Sequence, residues 1–333
     1  MGHLGNRIKA AADLLRPRTL FRTLSRVDTL ADNTRELTAA VNQLRIQTEQ
    51  LLTIQRLDWD RRLDLERLDR LIDKESTHRH VCARIEATPL RMDPFPHVVV
   101  DSWLPDDVYA RAIDAMPPQV FFASDRDAHW TVPSGVAPAY SREVWSFISN
   151  SIVGEVLHDA LNRKFSGAVR EYVESFCGAI PDDLKLDLHT SDGRIMLRRP
   201  GYDLRPHRDP RWGFITGIAY LVREGDLQTN GTRLYRVRGD GEAPNSRVYY
   251  LDESQCELVT EVPFRPNSLL VFLNSQGAHA ASIPKDAPAD MERYIYQFRM
   301  GPTSKVINRL LQTMPPERAA MWANAKTQRA SGH

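Results

Sequence analysis

The sequence predicts an α+β protein, in which an antiparallel β-sandwich or jelly roll is supported by helices and preceded by one long helix. Three observations predict it. The chain of 333 residues exceeds one typical domain. Residues 29–76 contain neither glycine nor proline, which is typical of a long helix. Beyond Pro89, short runs rich in Val, Ile, Tyr and Phe lie between turn residues, and they concentrate in the C-terminal half behind several helical stretches.

Composition excludes several classes of protein. The net charge is +1, so there is no general attraction for nucleic acid. The three cysteines form no CxxC pair, which argues against a disulfide framework or a thiolate zinc site. No apolar run reaches transmembrane length, and no secretory signal is visible. These features predict a soluble, cytoplasmic protein.

The first segment, residues 1–28, is a basic leader. Before residue 28 it contains six lysine and arginine residues but one acidic residue, Asp13, and leucines are interleaved with the basic residues. Such a basic amphipathic helix could lie on the anionic inner face of a membrane. Pro17 interrupts the pattern, so a solvated helical lead-in is the alternative.

Residues 29–80 are predicted to form a coiled coil through which the protein self-associates. Leucine recurs every seven residues, and a helix with one apolar stripe needs a partner in water. The companion core position is mostly polar, and the period fails at Asp58. A helix folded back on the rest of the chain is the alternative. A DNA-binding zipper is disfavoured, because Pro17 breaks the helix that would enter the major groove. The repeat consists of Leu30, Leu37, Leu44 and Leu51, with Thr34, Val41, Thr48 and Gln55 as companions.

A catalytic domain is expected over residues 90–302, followed by a C-terminal helix and tail over 303–333. Helices are predicted at 105–115, 141–150, 151–162, 168–177 and 303–327. Strands are predicted at 97–101, 185–190, 194–199, 213–222, 232–237, 247–251, 257–262, 268–273 and 293–299.

The chemistry concentrates around His207 and Asp209. In an extended strand, residues i and i+2 point to the same face, so this imidazole and this carboxylate would converge. His279, after an apolar strand and a small-residue loop, is the candidate third ligand. Two histidines and one carboxylate form the facial triad of non-haem iron(II) sites, which leaves coordination positions open. Arg293 opens the next apolar strand, and a buried guanidinium there needs a carboxylate partner.

In their order along the chain, these stretches resemble the iron(II)- and 2-oxoglutarate-dependent oxygenases of the prolyl-hydroxylase-like superfamily. The resemblance covers about 93–300. It is carried by an opening strand, a glycine turn with the metal-binding strand, a core strand, a short strand and the last two core strands. These are Asp93–Leu104, Pro200–Asp209, Phe214–Val222, Gly231–Tyr235, Pro266–His279 and Arg293–Phe298.

The resemblance implies a double-stranded β-helix that binds Fe(II), 2-oxoglutarate and O2. It makes His207, Asp209 and His279 the metal ligands and Arg293 the partner of the distal carboxylate of 2-oxoglutarate. Asp209 points to hydroxylation, because the family's halogenases lack this carboxylate.

Two features depart from the family's pattern. Arg198 stands where many members have a tyrosine that touches the cosubstrate. The interval between His279 and Arg293 is also longer than usual, through a loop at 284–290. Two alternatives are a cupin-like metalloenzyme that does not use 2-oxoglutarate and a coiled-coil interaction protein with a vestigial oxygenase domain.

The substrate is expected to be a small molecule, a glycan or a protein. Tyr202, Arg208 and Trp212 flank the metal-binding strand and are candidates for substrate contact, although each could instead be packing. No basic channel with stacked aromatic residues indicates nucleic acid.

Overall fold

A computed structural model of the chain describes residues 17–122, 127–132, 135–191, 193–209, 212–238, 250–274 and 277–323. The chain divides into two compact units, Met1–Arg56 and Leu57–His333. Residues 1–16 of the predicted leader lie outside the described residues, as do 247–249 of the predicted strand 247–251. Within the part of the chain that is described, no helix is long and apolar enough to cross a membrane.

The helices precede and follow the strands as predicted. In our numbering they are α1 Pro17–Asp60, α2 Arg62–Glu66, α3 Leu68–Leu71, α4 Lys74–Ala87, α5 Asp106–Asp114, α6 Ala139–Ser146, α7 His158–Cys177, α8 Ser304–Thr313 and α9 Pro316–Ala323. A π-helical segment, Phe147–Leu157, joins α6 to α7, and short 3-10 turns lie at Gln119–Phe121 and Glu253–Gln255.

Eleven strands are found in the described residues. They are β1 His97–Asp101, β2 Asp127–Thr131, β3 Leu188–Thr190, β4 Arg194–Arg198, β5 Asp203–His207, β6 Ile215–Tyr220, β7 Thr232–Val237, β8 Cys256–Val262, β9 Ser268–Leu273, β10 Ala278–Ser282 and β11 Arg293–Pro302. Strands β1, β7 and β9 have the predicted bounds. Strands β2, β5 and β10 were absent from the predicted list, although β5 lies within the metal-binding strand expected over 200–209. Strand β10 consists almost entirely of small residues, which carry no strand signal.

The strands form two antiparallel sheets. The large sheet has the order β1-β9-β6-β11-β4-β2, with β3 also pairing β11, and the small sheet has the order β5-β10-β7-β8. A shared apolar core includes residues of both sheets, among them Ile218, Leu270, Phe272 and Ile295 from the large sheet and Leu234 and Val262 from the small one. This two-layer arrangement is the predicted double-stranded β-helix.

Helices support the outer face of the large sheet. Tyr296 of β11 lies 5.4 Å, ring centre to ring centre, from Trp145 of α6. The C-terminal region also packs back as predicted, since Trp322 of α9 stacks on Phe176 at 3.9 Å. The prediction of one helix over 303–327 was wrong, because Pro315 and Pro316 divide it into α8 and α9. Residues 324–327 lie outside the described residues.

The N-terminal helical region ends where the leucine repeat fails. Helix α1 ends at Asp60, and the Asp58 carboxylate accepts a 2.6 Å hydrogen bond from the backbone N–H of Ala139, the first residue of α6. The position that breaks the repeat therefore caps another helix. The sequence assigns 29–80 to one coiled-coil segment. In the structure, residues from Leu57 belong to the second unit, and α4 buries part of its surface there.

Candidate metal and cosubstrate site

The two histidines of the predicted triad are direct neighbours across the small sheet. Strands β5 and β10 pair antiparallel with His207 opposite His279. Both side chains are buried, and their ring centres lie 4.1 Å apart. Just before β10, Gly277 has φ +88°, and a Cβ there would lie 2.3 Å from the Phe95 ring, so the backbone that leads into His279 requires glycine. The register of one strand pair therefore brings together residues 72 positions apart in the sequence.

The orientation of the His207 ring is set by its own strand. Its Nδ1 lies 2.9 Å from the Arg205 carbonyl oxygen, which can only accept a hydrogen bond. Nδ1 therefore carries the proton, and Nε2 carries the lone pair that a metal would use. A backbone carbonyl that fixes the tautomer in this way is a common support of metal-binding histidines.

Asp209 lies two residues beyond the end of β5, and an amide side chain holds it there. Its N–H donates to Asn274 Oδ1 at 2.9 Å, and Asn274 Nδ2 donates to the Asp209 carbonyl at 2.6 Å. This paired contact replaces strand hydrogen bonds and fixes the backbone just past the sheet edge. The sequence argument placed His207 and Asp209 in one extended strand. The structure ends that strand at His207 and still brings Asp209 to the site.

Two side chains of the large sheet hold the Asp209 carboxylate. Thr216 of β6 and Arg299 of β11 are register partners, so their side chains share one face. The Thr216 hydroxyl donates to Oδ2 at 2.5 Å, and Arg299 Nη2 donates to Oδ1 at 2.6 Å. Burial alone would raise the pKa of this carboxyl, but the Arg299 charge, the two histidines and the Thr216 hydrogen bond hold it below its usual range. Asp209 is therefore ionised at neutral pH.

The histidines are neutral at the same pH. Burial lowers the pKa of His207, and burial together with the adjacent His207 lowers the pKa of His279 well below its ordinary value. The potential ligand atoms of His207, Asp209 and His279 all lie within 4.8 Å of one another, and all three residues are buried. Two neutral imidazoles and one carboxylate suit a divalent transition metal such as iron(II), so the donor set fits the ion that the sequence predicted.

A second group of charges lies next to this cluster. Arg293 of β11 and Arg198 of β4 are register partners, and both side chains are almost completely buried. Among the described residues, Nε and Nη1 of Arg293 and Nε of Arg198 have no hydrogen-bond partner. Burial, with the like charge of Arg198, lowers the pKa of Arg293 to about 10, so its guanidinium stays charged at neutral pH. Two adjacent buried cations with open donors favour an anionic ligand.

Aromatic rings hold both guanidiniums in place. The guanidinium carbon of Arg293 lies 4.3 Å from the centre of the Phe264 ring, and that of Arg198 lies 4.4 Å from the Tyr202 ring. Cation–π contacts stabilise a buried cation without using its N–H donors. Burial is the main cause of the lowered pKa of His207 and of His279, and the positive charge of Arg198 lowers both further. Arg198 therefore acts on the histidines of the first cluster as well as on its neighbour Arg293.

The three candidate substrate residues have different places. Tyr202 is buried beneath Arg198 and packs with Ile283, so it supports the arginine pair. Arg208 Nε donates to the Gly277 carbonyl at 2.9 Å and links the end of β5 to the turn before β10. Trp212 contacts Trp322, with an indole N–H hydrogen bond of 3.2 Å to the Trp322 carbonyl. Trp212 therefore has packing contacts, and its contact with substrate stays a prediction.

Sequence reasoning missed three residues that hold Asp209: Asn274, Thr216 and Arg299. Asn274 follows an all-apolar strand, where a polar side chain at the sheet edge could have been singled out. Arg299 lies six residues after Arg293, so both point to the same face of β11. That even spacing was a usable signal. Thr216 carried none, because threonine is common in strands.

Comparisons with known proteins give distant likenesses. No protein-family model and no curated protein matches the chain. A prolyl-4-hydroxylase from Pseudomonas putida is 18% identical with a TM-score of 0.38, over 67% of this chain and 100% of that one. An oxidoreductase of the 2OG-Fe(II) oxygenase family from Burkholderia pseudomallei is 8% identical with a TM-score of 0.38, over 67% and 89%. HygX from Streptomyces hygroscopicus, with nickel and 2-oxoglutarate bound, is 15% identical with a TM-score of 0.38, over 64% and 85%. Likenesses this distant leave the function to be judged from the site itself.

Proposed function

We propose that the protein is an iron(II)- and 2-oxoglutarate-dependent oxygenase that hydroxylates its substrate. One observation carries the proposal: a buried cluster of two neutral histidines and an ionised aspartate lies beside two buried arginines with open donors. The first group suits a divalent metal, and the second suits a carboxylate. A 2-oxo dicarboxylate is the kind of ligand that needs both.

At the metal end, His207, Asp209 and His279 would hold the ion. Their protonation states at neutral pH are those that a metal requires, and the ion would not have to displace a proton from either histidine. The Thr216 and Arg299 contacts fix the carboxylate, and the Arg205 carbonyl fixes one imidazole. These contacts would keep the three donors in place before the ion arrives.

At the other end, Arg293 would bind the distal carboxylate of 2-oxoglutarate, with Arg198 beside it. Nε and Nη1 of Arg293 have no hydrogen-bond partner in the described residues, so their N–H groups remain to donate charge-assisted hydrogen bonds to a carboxylate. Because the pocket is buried, such a charge-assisted pair is screened little by water or salt. Arg198, where the family often has tyrosine, adds a second positive charge.

When bound, the iron with 2-oxoglutarate and dioxygen supplies an oxidant for a C–H bond, with 2-oxoglutarate leaving as succinate and carbon dioxide and one dioxygen atom entering the product hydroxyl. The chain's residues bind and orient the reactants, and burial of the donors limits access of bulk water. Small molecules, glycans and proteins all offer suitable C–H groups. We propose that the substrate belongs to one of these three classes.

The second candidate, a metalloenzyme on a similar fold that does not use 2-oxoglutarate, leaves the two arginines without a role. Two buried guanidiniums side by side destabilise the protein unless an anion joins them. The vestigial-domain alternative is also disfavoured, since an inactive site has no need of the contacts that keep Asp209 ionised and oriented.

The test is succinate formation from 2-oxoglutarate after anaerobic loading with iron(II) and exposure to oxygen, without added substrate. We expect slow succinate release from wild type and none above background from Asp209→Ala. Asp203→Ala is the matched control, because Asp203 lies on the same strand but is exposed; it should behave as wild type. Equal background succinate from all three, with no iron bound by wild type, would contradict the proposal.

A further inference from the structure

The N-terminal helix α1 carries an apolar stripe that the described chain leaves uncovered. Its four repeating leucines are each more than 60% exposed, and Val27 and Val41 are more than half exposed. A single helix does not keep such a stripe in water, because its stability depends on burying that face. The stripe is formed by Leu30, Leu37, Leu44 and Leu51.

The residues between the leucines indicate how the stripe is covered. With the leucines at position d of a heptad, position a is occupied in turn by Val27, Thr34, Val41 and Thr48. Every one of these is branched at Cβ. In parallel coiled coils, β-branched residues at a combined with leucine at d favour two strands. A pattern repeated over four consecutive heptads is also long enough for a coiled coil to be expected.

The two threonines looked like weak points of this seam, but their hydroxyls are already satisfied. Thr34 Oγ1 donates to the Leu30 carbonyl at 2.7 Å, and Thr48 Oγ1 donates to the Leu44 carbonyl at 2.8 Å. A buried hydroxyl is costly only when its hydrogen bond is lost. Because each bond lies within its own helix, both threonines can enter a packed layer and present their methyl groups.

The flanking positions are compatible with pairing of identical helices in register. In a parallel pair, position g of one helix meets position e five residues later in the other. This places Arg26 near Ala31 and Ala40 near Arg45, so none of these pairs sets like charges together. Charges such as the ion pair between Arg35 and Asp32, at 2.7 Å, lie on the outer face of the helix.

We propose that residues 27–51 of two copies of this chain form a parallel, in-register, two-stranded coiled coil. The occupant of the apolar stripe is the same stripe of the second copy, with each a and d layer meeting its own equivalent. This narrows the self-association predicted from the sequence to a segment, an orientation and a number of strands. It does not depend on the proposed catalytic function.

The first test is the mass of the full chain by sedimentation equilibrium, with one pair of matched variants. Wild type should have twice the 38.0 kDa of the single chain. Leu44→Glu should weaken dimerisation at least about 100-fold, because it places two carboxylates in one layer. Ile46→Glu is the control: Ile46 is also exposed, at 38%, but lies at the outer position f, so this variant should remain dimeric.

A monomeric or trimeric wild type would overturn the proposal, as would a Leu44→Glu variant that stays dimeric. A circular dichroism spectrum and iron binding equal to wild type would show that this variant is folded.

The second test concerns orientation and the threonine layers. Leu30→Cys should form a disulfide-linked dimer under mild oxidation, with wild type as the control for Cys82, Cys177 and Cys256. Cross-linking only in a mixture of Leu30→Cys with Thr48→Cys would show an antiparallel pair and overturn the orientation, because a packs against d in antiparallel coiled coils. Thr48→Val should lower the dimer dissociation constant several-fold. A higher dissociation constant would show that Thr48 lies outside the seam.

Discussion

Strand β11 carries two arginines in opposite electrostatic situations, the buried Arg293 at its first residue and the partly buried Arg299 near its other end. Arg299 lies 2.6 Å from the Asp209 carboxylate, which is almost completely buried, so its charge is compensated inside the protein. Arg293 has Arg198 opposite it in register and two nitrogens without a hydrogen-bond partner in the described residues. The compensated arginine holds the carboxylate of Asp209, a proposed metal ligand. The uncompensated one is the residue that we propose binds the carboxylate of the cosubstrate.

This difference can be tested through stability as well as binding. Removing a partner from a buried ion pair destabilises a protein, whereas replacing an uncompensated buried charge by an apolar group often stabilises it. The same substitution, arginine to methionine, should therefore change the free energy of unfolding in opposite directions at the two ends of β11.

The largest effect is expected at Arg293. Arg293→Met should weaken 2-oxoglutarate binding about 100-fold, since charge-assisted hydrogen bonds in a buried site contribute roughly 1.5–3 kcal/mol each. Iron binding should be unchanged. Without ligands, the variant should be more stable than wild type by roughly 1–3 kcal/mol. Calorimetric titration and denaturant unfolding measure these effects, and Arg236→Met, at an exposed arginine of β7, is the control. Loss of the metal as well would show that the assigned role is wrong.

At Arg299 the expected pattern is reversed. Arg299→Met should lower iron affinity roughly 10–100-fold, which is the usual effect of removing a residue that orients a metal ligand. It should also destabilise the ligand-free protein by about 3 kcal/mol, because Asp209 keeps a buried charge without its partner. Competition against a chelator measures the affinity, and Arg299→Lys should restore part of it. Equal changes in the free energy of unfolding for Arg293→Met and Arg299→Met would show that the two arginines do not differ in charge compensation.

A smaller effect is expected at Arg198. Arg198→Met should weaken 2-oxoglutarate binding about 10-fold and also relieve the repulsion that helps to lower the pKa of Arg293. The same calorimetric titration checks it. Arg198→Tyr, which restores the residue common in the resembling family, should bind 2-oxoglutarate better than Arg198→Met. An unchanged affinity in both variants would remove Arg198 from the cosubstrate pocket.

The smallest effect is expected at Thr216. Thr216→Val removes one hydrogen bond to the Asp209 carboxylate, worth about 1–2 kcal/mol, so iron affinity should fall about 5-fold to 30-fold. Thr216→Ser keeps the hydroxyl and is the matched control. If the serine and valine variants lost affinity equally, packing at this position would matter rather than the hydrogen bond.

Much of this arrangement could be predicted from the sequence, because most of the informative residues lie on regular strands and Asp209 lies only two residues beyond one. The triad followed from the spacing of His207 and Asp209 and from the position of His279 after an apolar strand. Arg293 was singled out because an arginine in an apolar strand needs a partner. The jelly roll was predicted from short strands between turns, and the two-sheet topology confirms it.

The remaining features depend on how the strands pair, which the sequence of a single strand does not show. That Arg198 faces Arg293, and that Thr216 faces Arg299, follows from the register of β11 with its two neighbours. Asn274 acts on Asp209 across 65 positions of sequence through a side-chain amide. Strand β10 was missed because His279 is surrounded by alanines, which favour no strand. The break in the C-terminal helix, in contrast, was visible in Pro315 and Pro316 and was overlooked.

We propose that one pocket holds a metal at its Asp209 end and a carboxylate at its Arg293 end. The most direct measurement is anaerobic calorimetric titration of 2-oxoglutarate into the full chain, with and without iron(II), for wild type and Arg293→Met. We expect one equivalent to bind tightly to the iron-loaded wild type, weakly without iron, and about 100-fold more weakly to iron-loaded Arg293→Met. Binding that is the same with and without iron, or that is unaffected by Arg293→Met, would show that the metal and the carboxylate do not share this pocket.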